Sequence, residues 1–236
     1  VHHVAFDGVS TALLLREVGA LYASVSQGGS VADAGLEEVH LQYVDYALWQ
    51  HESLLPLLSA QREYWRLQLR EGALPALDLP LDFVRPAVQT FAGAAVAVTL
   101  SQDVSVRLES VGRSHGCTLF QLMVAVWGLL LCRHAGQEEV IVGTPYHGRD
   151  AAGTEGMIGY FVNMLALRLE VARGESVSSL LRHARDVAAG AMRHAAVPWQ
   201  VVVQELLPRR SHDASRNAVF QTMLGWGDEA HFNGRG

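Results

Sequence analysis

The chain has 236 residues, enough for one or two domains, and half of them are hydrophobic, which supplies a sizeable core and excludes an intrinsically disordered chain. Its formal net charge is -6 with histidine neutral, which excludes a basic nucleic-acid binder. All 18 basic residues are arginine, so lysine-dependent chemistry, whether of a phosphate loop, a Schiff base or a kinase, is excluded within the chain.

Residues 1–4, Val-His-His-Val, read as a strand end, and Asp7-Gly8 follows as a turn. Ser10 is placed to cap a helix whose Leu13, Leu14, Val18 and Leu21 fall at helical spacing. Residues 26–35 form a polar loop. A second helix spans 41–69, with Pro56 as its break. Pro75, Pro80 and Pro86 punctuate an extended linker between two lobes. Beyond it come a strand at 94–100 and a helix at 104–115 capped by Ser101. A helix at 119–133, apolar on nearly all sides, and a buried strand at 139–143 follow. A polar loop at 146–156 leads to a strand at 161–171, helices at 177–193 and 199–207, and a last strand at 220–224. This order predicts an α/β or α+β architecture.

The two cysteines, Cys117 and Cys132, lack metal-ligand spacing and read as buried thiols of a reducing compartment, so a cytoplasmic location is expected. No stretch reaches the roughly 18 consecutive apolar residues of a membrane span, and no signal peptide is visible, so neither membrane nor nucleic acid is expected as a partner. The other histidines have no carboxylate or cysteine at zinc spacing, so no metal is expected. A reactive-looking segment with one residue before it also leads us to expect a fragment that lacks the N-terminal part of its domain.

That segment is His2-His3-Val4-Ala5-Phe6-Asp7-Gly8. Neighbouring side chains of a strand point to opposite faces, so one histidine is expected to face a pocket and the other to pack inside. An imidazole takes a proton from a nucleophile near neutral pH. Asp7 is suited to bind an arginine or hold the loop, and Gly8 lets the backbone turn sharply and approach a ligand. Taken alone, the same residues fit a surface hairpin equally well.

The segment resembles the HHxxxDG motif of the condensation domains of nonribosomal peptide synthetases and their chloramphenicol acetyltransferase-like relatives. Further segments resemble that family's motifs in its order. Tyr43 to Gln50 is similar to YxDYAxWQ, Asp78 to Pro86 to DLPxDxxRP, and Ile158 to Asn163 to IGxFVN. His194 to Trp199 is similar to HxxVPF, with Trp199 in the phenylalanine position. Asp213 to Asn217 is similar to RDxSRNP, with His212 for the first arginine and Ala218 for the proline.

The resemblance implies a two-lobe chloramphenicol acetyltransferase-like fold, here incomplete, with a tunnel between the lobes. Residues 1–74 would be the C-terminal part of the N-lobe, 75–86 the proline-rich inter-lobe linker and 87–236 most of the C-lobe. The implied activity is an amide-forming acyltransferase: the amine of a carrier-bound acceptor attacks a carrier-bound acyl or aminoacyl thioester. Donor and acceptor peptidyl carrier proteins and an adjacent adenylation domain are the implied partners. No cofactor would be bound directly, since the carriers supply 4'-phosphopantetheine arms. His3 would be the base or orient the amine. His2 would support it from the core, Asp7 would pair with Arg149, Gly8 would offer an N–H near the thioester oxygen, and Asn163 would sit near the tunnel. Epimerisation domains, which share HHxxxDG, coenzyme A-dependent acyltransferases of the same fold, non-catalytic carrier-docking modules and an inactive fragment are the competing readings.

Overall fold

The computed structural model describes residues 1–69, 74–90, 92–206 and 214–227. They group into two compact units, each discontinuous in sequence: Val1–Ser59 with His147–Asn163, and Ala60–Tyr146 with Met164–Trp226. The segment 147–163 thus folds with the first 59 residues, a grouping that a linear division after residue 86 does not have.

In the first unit, helix α1 (Gly8–Ser26) begins where the Asp7 side chain accepts the Ser10 N–H. Asp7, not Ser10, is therefore the cap, and Ser10 stands in the first turn, where its hydroxyl is free for other partners. After a 3-10 turn at Val31–Ala34, helix α2 covers Tyr43–Trp49. The chain then passes through a π turn at Gln50–Leu54 and a 3-10 turn at Leu55–Leu57 before helix α3, Ser59–Leu69. Pro56 lies in this passage, and its missing N–H and its ring are why one continuous helix over 41–69 does not form.

The second unit is built on a three-stranded sheet of order β2-β1-β3, with β1 at Glu139–Tyr146, β2 at Asn163–Glu170 and β3 at Thr222–Met223. Strands β1 and β3 are parallel, with Val142 opposite Thr222 and Gly143 opposite Met223. The end of β2 meets the start of β1, where the Val171 N–H donates to Glu138 O at 2.7 Å. Helix α4 (Gln102–Ser114) is capped by Ser101, and α5 (Leu119–Ala135) by Thr118 with Gln121 reaching back to the cap N–H. Helix α5 stops at Gly136, whose φ of 66° is the left-handed conformation glycine adopts without penalty. Helices α6 (Val177–Arg193) and α7 (Trp199–Leu206) complete the unit.

Packing explains the choice of residues. Strand β2 alternates little: Leu165, Leu167 and Leu169 are fully buried and so is Ala166 between them, as in a strand covered on both faces. Gly128 on α5 has no room for a side chain, since a Cβ there would meet Leu169 Cδ1 at 2.6 Å. Each fully buried leucine or valine contributes about 1.5–3 kcal/mol. Helix α3 joins the same core through Trp65, whose Nε1–H donates to His194 O at 2.8 Å.

The strand expected at 94–100 is not formed. Val96, Val98 and Leu100 do alternate, but the segment is exposed and has no ladder partner among the described residues. Alternation makes a strand only where a neighbouring edge accepts its hydrogen bonds. Among the described residues no single helix is long and apolar enough to cross a membrane.

Candidate active site

The histidine pair does not lie in a strand. His3–Ala5 form a 3-10 turn, closed by Ala5 N–H on His2 O at 3.1 Å and Phe6 N–H on His3 O at 3.3 Å. Both histidines are exposed, which corrects the expectation that His2 packs inside. With no adjacent strand to pair with, the backbone satisfies itself locally, and the strand alternation that would have separated the two rings does not apply. His2 instead caps the turn: its Nδ1 accepts the Val4 N–H at 3.0 Å.

His3 is bonded in the opposite sense. Its Nδ1 lies 2.6 Å from Phe6 O. A carbonyl oxygen only accepts, so Nδ1 carries a proton, and in the neutral imidazole the lone pair is then on Nε2. That atom makes no hydrogen bond among the described residues and is the acceptor the segment offers to solvent or substrate. The Tyr160 ring stands edge-to-face on this imidazole, with centroids 5.1 Å apart.

Below the histidines, Asp7 is 2% exposed and fully engaged. Its Oδ1 accepts the Ser10 N–H at 2.8 Å, the Ser10 hydroxyl at 2.8 Å and Arg149 Nη2 at 3.0 Å. Its Oδ2 accepts the Phe161 N–H at 3.1 Å and Arg149 Nη2 at 3.2 Å. Burial pushes this carboxyl up. The bonds from the Ser10 N–H and hydroxyl, the Phe161 N–H and the Arg149 guanidinium outweigh burial and hold it below its ordinary value of 3.8.

Arg149 is the residue the sequence put forward for Asp7, and the two are in contact. Its Nη1 donates to Thr154 O at 2.5 Å and Met157 O at 2.8 Å, so one guanidinium ties the 154–157 turn to α1. The guanidinium carbon lies 4.0 Å above the Phe161 ring, a cation–π contact. Gly148 makes this approach possible. Its φ is 66°, and a Cβ there would fall 2.0 Å from Phe161 O.

Ser10 is a node that its reading as a simple cap misses. It is 0% exposed, and its Oγ lies 3.0 Å from Gly159 N and 2.9 Å from Gly159 O. The signal was the spacing Asp7-x-x-Ser10, in which a cap aspartate faces a hydroxyl one turn on. Tyr43 and Tyr46 of α2 pack on Phe161 with centroids at 5.1 and 4.8 Å, so the YxDYAxWQ and IGxFVN segments form one aromatic cluster. Burial raises both phenols above their ordinary value, with Asp7 adding to Tyr43 and Tyr43 adding to Tyr46.

Gly8 is exposed at the first position of α1, with a φ outside the left-handed region, so it is not needed there for a turn that only glycine can make. The Gly8 N–H belongs to the first helical turn, where amides have no intrahelical acceptor. Asn163 opens β2 and is half-buried. His194 and Trp199 are packing residues of the second unit. His194 stacks on Tyr64 at 3.9 Å, and Trp199 lies 5.5 Å from Phe220. His212 and Asp213 lie outside the described residues, whereas Asn217 Oδ1 holds the Val219 N–H at 3.0 Å. Among the described residues no group of three or more His, Cys, Asp or Glu is placed to hold a metal ion.

These features recur in known proteins. The family model of the condensation domain matches residues 1–227. The chain is 36% identical over 226 residues to malpinin synthetase of Mortierella alpina, covering 95% of this chain and 3% of that protein. It is 38% identical over 225 residues to tyrocidine synthase 3 of Brevibacillus parabrevis, covering 95% of this chain and 3% of that one. Among solved structures, the X-domain from teicoplanin biosynthesis superposes with a TM-score of 0.83 at 26% identity, over 94% of this chain and 50% of that chain. The four-domain nonribosomal peptide synthetase AB3403 shares the fold, with a TM-score of 0.80 at 24% identity over 96% of this chain and 16% of that chain. The chain thus spans only a few per cent of these two curated relatives and about half of the solved X-domain. With a match that runs from residue 1 to 227, the chain belongs to the condensation-domain family.

Proposed function

We propose that the chain carries the histidine motif of a domain that forms peptide bonds in nonribosomal peptide synthesis. The acceptor amine attacks the carbonyl of the donor thioester; the C–N bond forms, the C–S bond breaks, the acyl group passes to the amine, and the donor carrier's arm is left as a thiol. His3 Nε2 accepts the amine proton and returns it to the leaving sulfur. Donor and acceptor reach the site on the phosphopantetheine arms of two peptidyl carrier proteins, and an adenylation domain loads one of them. Asp7 and Arg149 hold the turn that bears His3. His2 caps that turn, the Gly8 N–H lies beside the reacting carbonyl, and Asn163 lines the path of the substrates. The observation that supports this reading is the hydrogen bond from His3 Nδ1 to Phe6 O, which commits the imidazole to the tautomer whose exposed Nε2 can act as a base.

A transfer assay with carrier-bound aminoacyl donor and acceptor tests it. His3→Ala is expected to lower amide formation by about 10²–10⁴-fold while leaving the fold intact. An unchanged rate removes His3 from the chemistry. It would favour the second reading, a docking domain. That reading draws on the likeness to the teicoplanin X-domain, a protein also solved in complex with OxyB.

A further inference from the structure

Tyr160 occupies the variable position of IGxFVN, and the motif gives it no role. Its ring lies 5.1 Å from the His3 ring with the planes at 85°. Among the described residues, this ring and Phe6 O are the aromatic and polar partners of the His3 side chain. A single hydrogen bond at Nδ1 leaves the imidazole free to swing about the Nδ1···O axis. A second contact, against the plane of a neighbouring ring, removes that freedom and decides where Nε2 points.

Tyr160 is itself fixed on both sides. The Gly159 N–H donates to Ser10 Oγ at 3.0 Å, and the Phe161 N–H donates to Asp7 Oδ2 at 3.1 Å. Ser10 and Asp7 are 0% and 2% exposed, so both anchors are rigid. Tyr160 O accepts the Tyr43 hydroxyl at 2.7 Å. Gly159 leaves room for this arrangement, since a Cβ there would come within 2.2 Å of the Tyr43 ring.

We propose that Tyr160 is a positioning residue for His3: its ring holds the imidazole in one orientation, and Ser10, Asp7 and Tyr43 hold Tyr160. The inference rests on the reading of His3 as the base. Its purpose in that scheme is orientation, since a base misplaced by about an ångström loses on the order of a hundredfold in rate.

Nuclear magnetic resonance of the 236-residue chain tests the contact without reference to activity. The expected result is a nuclear Overhauser effect between the ring protons of His3 and Tyr160, together with His3 nitrogen shifts of the Nδ1–H tautomer. In Tyr160→Leu the ring-current shift of the His3 protons disappears, and Tyr160→Phe, which keeps the ring, restores it. In the transfer assay, Tyr160→Leu lowers kcat by about tenfold or more with KM within about twofold, and Tyr160→Phe recovers turnover. No Overhauser effect in the wild-type chain overturns the proposal, and so does wild-type kcat in Tyr160→Leu. If Tyr160→Leu does not fold, the wild-type Overhauser effect decides alone. Failure of the underlying reading is told apart by His3→Ala: amide formation at the wild-type rate there removes the base role, whatever the spectra of His3 and Tyr160 show.

Discussion

Asp7 and Arg149 stand 142 positions apart in sequence and form an ion pair at 3.0 Å whose side chains are 1% and 5% exposed. Each is also bonded to backbone: Asp7 to two N–H groups, Arg149 to two carbonyls. The pair therefore fixes two separate stretches of chain, the turn bearing His3 and the 147–163 segment bearing Tyr160. Removing one member leaves the other buried and uncompensated. Asp7→Ala or Arg149→Ala is expected to cost about 3–5 kcal/mol. The double variant is expected to lose less than the two losses added together, because no orphan charge remains. Urea unfolding of the three variants measures this, and full additivity would show that the pair is not coupled.

Acid is expected to weaken the same anchor. The folded Asp7 carboxyl titrates below 3.8, whereas in the unfolded chain it titrates near that value. A depressed folded value contributes stability in full above the unfolded one, and that contribution is lost as pH falls through the folded one. The stability gap between wild type and Asp7→Asn should therefore be constant from about pH 7 to about pH 5 and shrink below about pH 4. Thermal midpoints measured across that range decide it. A gap that stays constant into the acid would mean that Asp7 holds the turn by shape and not by charge.

Gly148 is expected to tolerate no side chain. Its φ of 66° is strained for other residues, and a Cβ would sit 2.0 Å from Phe161 O, a backbone atom that cannot swing away. Gly148→Ala should move Arg149 off Asp7 and lower the thermal midpoint by more than Gly156→Ala, where a Cβ would meet nothing within 4 Å. Equal midpoints for the two variants would show that the 147–163 segment has freedom to shift.

The residues themselves announced much of this. Helices α4, α5 and α6 follow from apolar spacing, and the start of α4 also from Ser101, whose hydroxyl accepts a first-turn N–H, because capping and periodicity act within a few residues. Asp7 and Arg149 could be joined because Asp7 stands in a motif that resembles one family, and that resemblance implies an arginine partner. Where the sequence misled, the missing information was always a neighbour. Val96, Val98 and Leu100 alternate as a strand does, yet a strand exists only beside another edge. His2 and His3 read as a strand pair, yet the backbone closed a 3-10 turn and left both rings exposed.

Residue type and short spacing were enough for the apolar helices of the second unit and for the HHxxxDG segment, and the resemblance to one family supplied Arg149 as the partner of Asp7. The folded chain was needed to show that Ser10 lies buried against Gly159, that the His3 Nδ1–H bonds Phe6 O and that Tyr160 meets the imidazole. Two of these contacts join residues about 150 positions apart, and the third depends on the local turn. Such pairings are set by how the backbone closes on itself, which no periodicity or spacing encodes.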